Sequence, residues 1–198
     1  MNRGDDPIEV AEIVHEKPHS GEFEEVLFGS DSGNTLWVRF SDKDGANEWI
    51  GKFGCGWSNS MRVTKAVSPD RFMIVAGGCA YVIDATTRKL LNQHSGAYTQ
   101  DVAYDPTRNH FIAADIRLRV IEDGREIWSS HRISIDGIHS LQVDGRVLKG
   151  RTVVGYEGEE DDFAFDLESR QFISGPDFSS WDDVPPVSKN RRWWQFWK

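Results

Sequence analysis

Hydrophobic and polar residues alternate along this chain over short stretches that turn-forming residues separate. In residues 35–40, Leu36, Val38 and Phe40 share one face, because successive side chains of a β-strand point to opposite sides. Residues 41–45 then supply Asp and Gly, which favour a turn, and residues 48–53 return as a second strand. The pattern predicts a β-hairpin.

The same order of strand, turn and strand recurs farther along the chain. Strands are predicted at residues 72–76, 80–84, 89–91, 110–114, 118–122, 125–128, 147–150, 152–154, 163–166 and 171–173. The Asp-Gly turns at residues 44–45 and 123–124 lie 79 residues apart, and Ala76 and Ala114 lie 38 apart. A unit of about 40 residues that holds several strands is typical of propeller blades. We therefore expect an all-β fold of about four short antiparallel sheet repeats, β-propeller-like, with a β-sandwich as the alternative.

Composition changes along the chain suggest four parts. Residues 1–22 are charged and contain two prolines, so we expect an N-terminal arm, in which residues 8–14 form a strand or a short extended piece. Residues 23–178 carry the strand pattern and form the β-repeat domain. Residues 179–190 contain tandem proline and are predicted to be a linker, because such sequences favour extended polyproline II.

Residues 191–198 form a tail that is both aromatic and basic, although the rest of the chain is acidic. The residues that we expect to mediate its association are Arg191, Arg192, Trp193, Trp194, Phe196 and Trp197. Three hypotheses stay open: docking of the tail on this domain or a second copy, weak peripheral contact with a membrane surface, and capture by another protein.

Residues 72–91 resemble a propeller blade. A strand that ends in Gly77-Gly78 and is followed by residues 81–84 looks like the kelch pattern, and residues 82–91 are similar to blades of quinoprotein-like and WD-type repeats. In those blades an Asp closes the third strand, as Asp84 does here. The resemblance implies a propeller fold, although no Gly-His…Trp-Asp signature repeats. In its small size and acidic composition the chain also resembles small bacterial immunity proteins of toxin systems.

The net charge is −9 and the isoelectric point is near 5.1. An acidic surface argues against a general nucleic-acid binder, which needs basic residues to neutralise phosphates. The two cysteines, Cys55 and Cys79, belong to no CxxC pair, so we expect no disulfide framework. The first ten residues are polar and show no secretory signal. These features predict a cytoplasmic protein.

Catalytic motifs are scarce. No GxSxG elbow is present, and the six histidines are scattered, so we predict no catalytic residue, no cofactor and no metal ligand. The most concentrated charge is a run of five carboxylates, whose mutual repulsion favours a solvated loop unless a basic partner or a cation neutralises them. Its members are Glu157, Glu159, Glu160, Asp161 and Asp162.

Two hypotheses of function follow. The first is a non-enzymatic module that binds a protein partner, for which the acidic charge favours a basic one. A toxin-neutralising immunity protein is a specific form of this hypothesis. Its candidate contacts are the five carboxylates together with Trp57 and Trp181, because interface anchors are often aromatic. The second is a metal-assisted hydrolase that uses the clustered carboxylates.

Overall fold

Short β-strands account for the regular structure of the chain. The computed structural model describes residues 7–19, 21–30, 33–66, 70–94 and 98–177, which contain strands and turns but no helix. The sixteen strands are β1 (Val10–Val14), β2 (Glu24–Phe28), β3 (Thr35–Ser41), β4 (Trp49–Gly54), β5 (Met61–Lys65), β6 (Arg71–Ala76), β7 (Cys79–Asp84), β8 (Lys89–His94), β9 (Asp101–Asp105), β10 (His110–Ala114), β11 (Leu118–Glu122), β12 (Arg125–Ser129), β13 (Ile138–Asp144), β14 (Val147–Val153), β15 (Glu160–Asp166) and β16 (Gln171–Ser174).

The strands form four sheets of four strands each, which we call blades 1 to 4 in chain order. Blades 2, 3 and 4 are antiparallel, and their strands follow one another in chain order. The first strands of the blades lie side by side, since β5 contacts both β1 and β9, and β9 contacts β13. The predicted count of four sheet repeats is confirmed.

Blade 1 is wound differently, in the order β1-β3-β4-β2. Its outer strand β2 pairs in parallel with β4, so the predicted antiparallel pairing fails at this one position. The hairpin of β3 and β4 fills the centre of the sheet, and β2 leads through a short connection into β3. Strand β2 therefore runs antiparallel to β3 and in the same direction as β4. Residues 10–14, which fall in the predicted N-terminal arm, form the inner strand β1 of this blade.

The core consists of three apolar layers between adjacent blades. In β6, Phe72 and Ile74 face blade 1, whereas Met73 and Val75 face blade 3, so both sides of the strand are buried. A strand that is buried on both faces has a continuous apolar sequence, as residues 72–76 do. In β3 the predicted face of Leu36, Val38 and Phe40 is confirmed, because these three residues pack against blade 2.

Exposed ion pairs lie on the outer faces of the two end blades. On the outer face of blade 4, Lys149 pairs with Asp144 at 2.8 Å, and Asp162 is 88% exposed beside Arg151. On the outer face of blade 1, Arg39 pairs with Glu12 at 2.7 Å, and both side chains are about half exposed. Within the described residues, blades 1 and 4 therefore do not bury these ion pairs against each other.

Three of the turns share one design. An Asp at the end of a strand accepts amide hydrogen bonds from the turn, and a residue in the left-handed region precedes the next strand. The pairs of capping Asp and left-handed residue are Asp84 and Arg88, Asp105 and Asn109, and Asp166 and Arg170. The resemblance to propeller blades led us to expect Asp84 at the end of the third strand of blade 2. Asp84 does end that strand, and its side chain caps the turn that follows.

Replacing Asp166 with Asn is expected to lower stability at neutral pH and to weaken its dependence on pH in acid. The amides of Ser169 and Glu168 and the guanidinium of Arg146 bind this carboxylate and lower its pKa to about 2, against the opposing effect of burial. The unfolded chain has its usual pKa, about 3.9. The interaction therefore stabilises the fold above pH ~4 and is lost as the pH falls towards 2.

Urea unfolding of both proteins between pH 7 and pH 2, followed by tryptophan fluorescence, checks this result. Asp136, which is exposed on a loop, provides the control substitution Asp136→Asn. A pH profile for Asp166→Asn that parallels the wild-type profile would show that this carboxylate does not cap the turn.

Candidate functional site

Six loops of blades 2, 3 and 4 meet at one end of the array, which we call the loop face. In an antiparallel blade the strands alternate in direction, so the loop before the first strand and the loop between the second and third strands lie at the same end. The loops before the first strands are residues 55–60, 98–100 and 130–137, and those between second and third strands are residues 77–78, 115–117 and 154–159.

Hydrogen bonds join these loops across the blades. The amide of Ser58 donates to the Gly77 carbonyl and that of Thr99 to the Gly78 carbonyl, each at 3.0 Å. The first loops of blades 2 and 3 therefore both bind the turn at residues 77–78. The side chain of Gln100 donates to the Asp136 carbonyl at 2.7 Å and extends the contact to blade 4. The loop face is therefore one connected surface rather than a set of separate tips.

A cleft of about 580 Å³ opens in the middle of the loop face. Four of the six loops and the start of β11 contribute to it. Its lining consists of Ser58, Tyr98, Gln100, Asp115, Ile116, Arg117, Arg119 and Asp136. Such a mixture of one aromatic ring, polar groups and both signs of charge suits the recognition of a polar peptide or side chain better than an apolar ligand.

The charges in the cleft are held in place by their neighbours. Asp115 is buried, and its carboxylate accepts hydrogen bonds from the Arg117 amide at 2.7 Å and from Arg119 Nη2 at 2.8 Å. Arg119 also donates to Glu126 at 2.9 Å. Burial alone would lower the pKa of Arg119, but the hydrogen bonds to Glu126 and Asp115 more than compensate and raise it. The guanidinium thus stays charged and fixed, with its charge balanced by two carboxylates.

His94, at the end of β8, lies close enough to Arg119 to feel its charge. Burial lowers the pKa of His94, aided by the positive charge of Arg119 and opposed by a hydrogen bond to the Gly124 backbone and by the charge of Glu126. Its Nε2 atom is buried and makes no hydrogen bond within the described part of the chain.

Three large aromatic side chains project from the loop face into solvent. Trp57 and Tyr156 are each 95% exposed, and Tyr98 is 62% exposed at the rim of the cleft. They come from loops of blades 2, 4 and 3, respectively. Trp57 was a predicted contact, whereas Tyr98 and Tyr156 were not. Each is an isolated aromatic residue within a polar turn segment, a pattern that does not distinguish an exposed side chain from a buried one.

The predicted acidic run extends from the loop face onto the outer side of blade 4. Glu157 lies in the loop, and its amide donates to the side chain of Glu159 at 3.2 Å. Glu160 accepts from His139 at 3.0 Å and pairs with Arg151 at 2.9 Å, and Arg151 also contacts Asp162. Asp161 lies in β15 opposite Thr152. Two of the five carboxylates are thus partly neutralised by one arginine.

The remaining predicted residues lie outside the described part of the chain. These are Trp181 and the tail residues Arg191, Arg192, Trp193, Trp194, Phe196 and Trp197. Within the described residues, no three His, Cys, Asp or Glu side chains are placed so that they could hold a metal ion. The described part of the chain contains no helix that is long and apolar enough to cross a bilayer.

Comparison with known proteins supports the architecture. No family model and no curated protein matches the chain. The C-terminal WD40 domain of Sif2 matches with a TM-score of 0.53 at 14% identity, over 78% of this chain and 46% of that domain. This protein has an all-β, β-propeller-like fold, similar to that of a WD40 domain.

Two further solved structures are also similar to this chain. The Pan2 WD40 domain of Neurospora crassa matches with a TM-score of 0.49 at 10% identity, over 74% of this chain and 49% of that one. Hydrazine synthase of Kuenenia stuttgartiensis matches with a TM-score of 0.49 at 15% identity, over 82% of this chain and 51% of that one. The chain therefore spans about half the length of the structures that it matches. The resemblance of residues 72–91 to propeller blades is confirmed at the level of the fold.

Proposed function

We propose that this protein is a non-enzymatic module whose loop face binds another protein. The observation that carries the proposal is the exposure of Trp57, Tyr98 and Tyr156 on the loop face, where Tyr98 also lines the cleft. Aromatic side chains supply large contact area with few rotatable bonds, and they dominate the energetics of many interfaces. Three of them on connected loops form an exposed, amphipathic surface of the kind that protein-binding sites use.

Charge supports a basic partner. The chain carries a net charge of −9, and the loop face adds the exposed carboxylates of Asp136 and Glu157 near its aromatic side chains. A partner with a positive surface would be steered towards this end of the molecule, at a rate that falls with salt concentration. Arg117 and Arg119 are already bound by Ser130, Asp115 and Glu126, so they offset this field only in part.

Replacing Trp57 or Tyr98 with Ala is expected to weaken partner binding by about 30-fold or more each, as for central interface residues. The partner is first isolated with the tagged full chain at physiological salt and identified. Its affinity for each variant is then measured by calorimetry. The matched control is Ile173→Ala, because Ile173 is 58% exposed on the outer edge strand of blade 4, away from the loop face.

Circular dichroism verifies that each variant retains its β-structure. Unchanged affinity of both loop-face variants, or an equal loss with Ile173→Ala, would contradict the proposal.

The finer hypotheses depend on the identity of that partner. A toxin-neutralising role, a cytoplasmic location and association through residues 191–198, with a membrane, a second copy or another protein, all stay predictions. Nothing in the described residues favours the hydrolase hypothesis, because its carboxylates are spread over a loop and a strand and pair with His139 and Arg151.

A further inference from the structure

Cys55 and Cys79 lie on opposite sides of the boundary between blades 1 and 2. Cys55 follows the end of β4 and Cys79 begins β7, and both are free thiols that pack at the edge of the same apolar layer. Two residues deeper, the rings of Phe53 and Tyr81 meet with their centroids 5.4 Å apart. Because side chains two residues apart on a strand share a face, the two cysteines form the next layer of this contact.

Glycines allow the two backbone segments to approach closely. A Cβ atom on Gly77 would lie 3.1 Å from Cys55 Cβ, and a Cβ atom on Gly56 would lie 3.0 Å from Cys79 Sγ. The Gly56 amide donates to the Ala76 carbonyl at 3.1 Å, and Ala76 is the strand partner of Cys79. Cys79 thus lies beside Gly56, the neighbour of Cys55 in the chain, and Cys55 lies beside Gly77, in the turn that precedes Cys79.

We propose that Cys55 and Cys79 form a redox-sensitive pair that a small disulfide, such as glutathione disulfide, converts into an intrachain disulfide. One thiolate attacks the glutathione disulfide, forms a mixed disulfide and releases one glutathione. The second cysteine then attacks the protein sulfur of that mixed disulfide and releases the other glutathione. Both protein thiols are oxidised, glutathione disulfide is reduced, and the two thiol protons end on the two glutathione molecules.

The surroundings of the thiols determine how fast this exchange proceeds. Burial raises the pKa of both cysteines, and for Cys55 the nearby Cys79 raises it further. At neutral pH the thiolate fraction is therefore small, so the pair responds to sustained oxidation rather than to brief pulses, and oxidation accelerates as the pH rises. The disulfide would tie the end of blade 1 to β7 of blade 2 through Cys55, which belongs to the same loop as Trp57 and Ser58.

Equilibration of the full chain with mixtures of reduced and oxidised glutathione tests the proposal. Aliquots are quenched with an alkylating reagent and weighed by mass spectrometry. The expected product is lighter than the reduced chain by two hydrogen atoms and takes up no reagent. Since the chain contains only two cysteines, an intrachain disulfide can join no other pair.

The native fold should favour this product. We expect the effective concentration of one thiol towards the other to exceed its value in concentrated urea by about tenfold or more, because the fold holds the two side chains together. An effective concentration no higher than in urea would overturn the proposal, as would stable glutathione adducts on both cysteines or disulfide-linked dimers. The variants Cys55→Ser and Cys79→Ser should each stop at a single glutathione adduct, and this outcome does not depend on whether the loop face binds a protein.

Discussion

Replacing Phe40 with Ala is expected to lower the free energy of unfolding by about 3–5 kcal/mol. Phe40 is fully buried between blades 1 and 2. Its ring stacks on Trp49 with the centroids 4.3 Å apart and makes an edge contact with Phe72 with the centroids 5.5 Å apart. Truncation removes this buried surface and leaves a cavity whose aromatic walls can relax only in part. The loss is expected to be this large because the layer joins two blades, so both of them lose contacts.

Arg39 provides the matched control, because it precedes Phe40 in the same strand and points to the opposite face. Its guanidinium pairs with Glu12 on the exposed outer side of blade 1. Arg39→Ala should therefore cost less than about 1 kcal/mol, as exposed ion pairs do. Urea unfolding followed by circular dichroism measures both values. Similar losses for the two variants would mean that the two faces of β3 have been assigned wrongly.

The alternation that separates Phe40 from Arg39 could be predicted from the sequence because it is a local property. The side chains of Leu36, Val38 and Phe40 share a face in any strand, whatever the sheet around it. The number of blades followed from the same regularity, since turns recur at steady intervals. The parallel pairing of β2 with β4 could not be predicted in this way, because pairing depends on which strand edges remain free after the β3–β4 hairpin has formed.

The candidate site was predicted in part for the same reason. Trp57 was predicted as a contact because interface anchors are often aromatic, and the structure places it on the loop face. A single aromatic residue in a loop, such as Tyr98 or Tyr156, has the same local sequence whether it points into the core or into solvent. Likewise, the pairing of Glu160 with Arg151 depends on the register of β14 and β15. Sequence spacing alone does not reveal that register.

Replacing Gly77 with Ala is expected to destabilise the fold by about 2–5 kcal/mol, through backbone strain and overpacking together. Gly77 has a φ of +57°, where a side chain costs about 1–2 kcal/mol. A Cβ atom would also lie 2.7 Å from the nitrogen and 2.9 Å from the oxygen of Gly56. These are backbone atoms of the segment that links blade 1 to blade 2, so they can move away only if the blades separate at this point.

Gly145→Ala separates the two causes. Gly145 has a φ of +60°, but a Cβ atom there would meet nothing within 4 Å, so this variant should show the conformational cost alone. The difference between the two variants in urea unfolding then measures the close approach of the Gly56 and Gly77 backbones. Equal losses would mean that this approach does not restrain the blades. If the approach does restrain them, Gly77→Ala should also lower the effective concentration of Cys55 towards Cys79, because the contact that holds the two glycines together is the one that keeps the two thiols close.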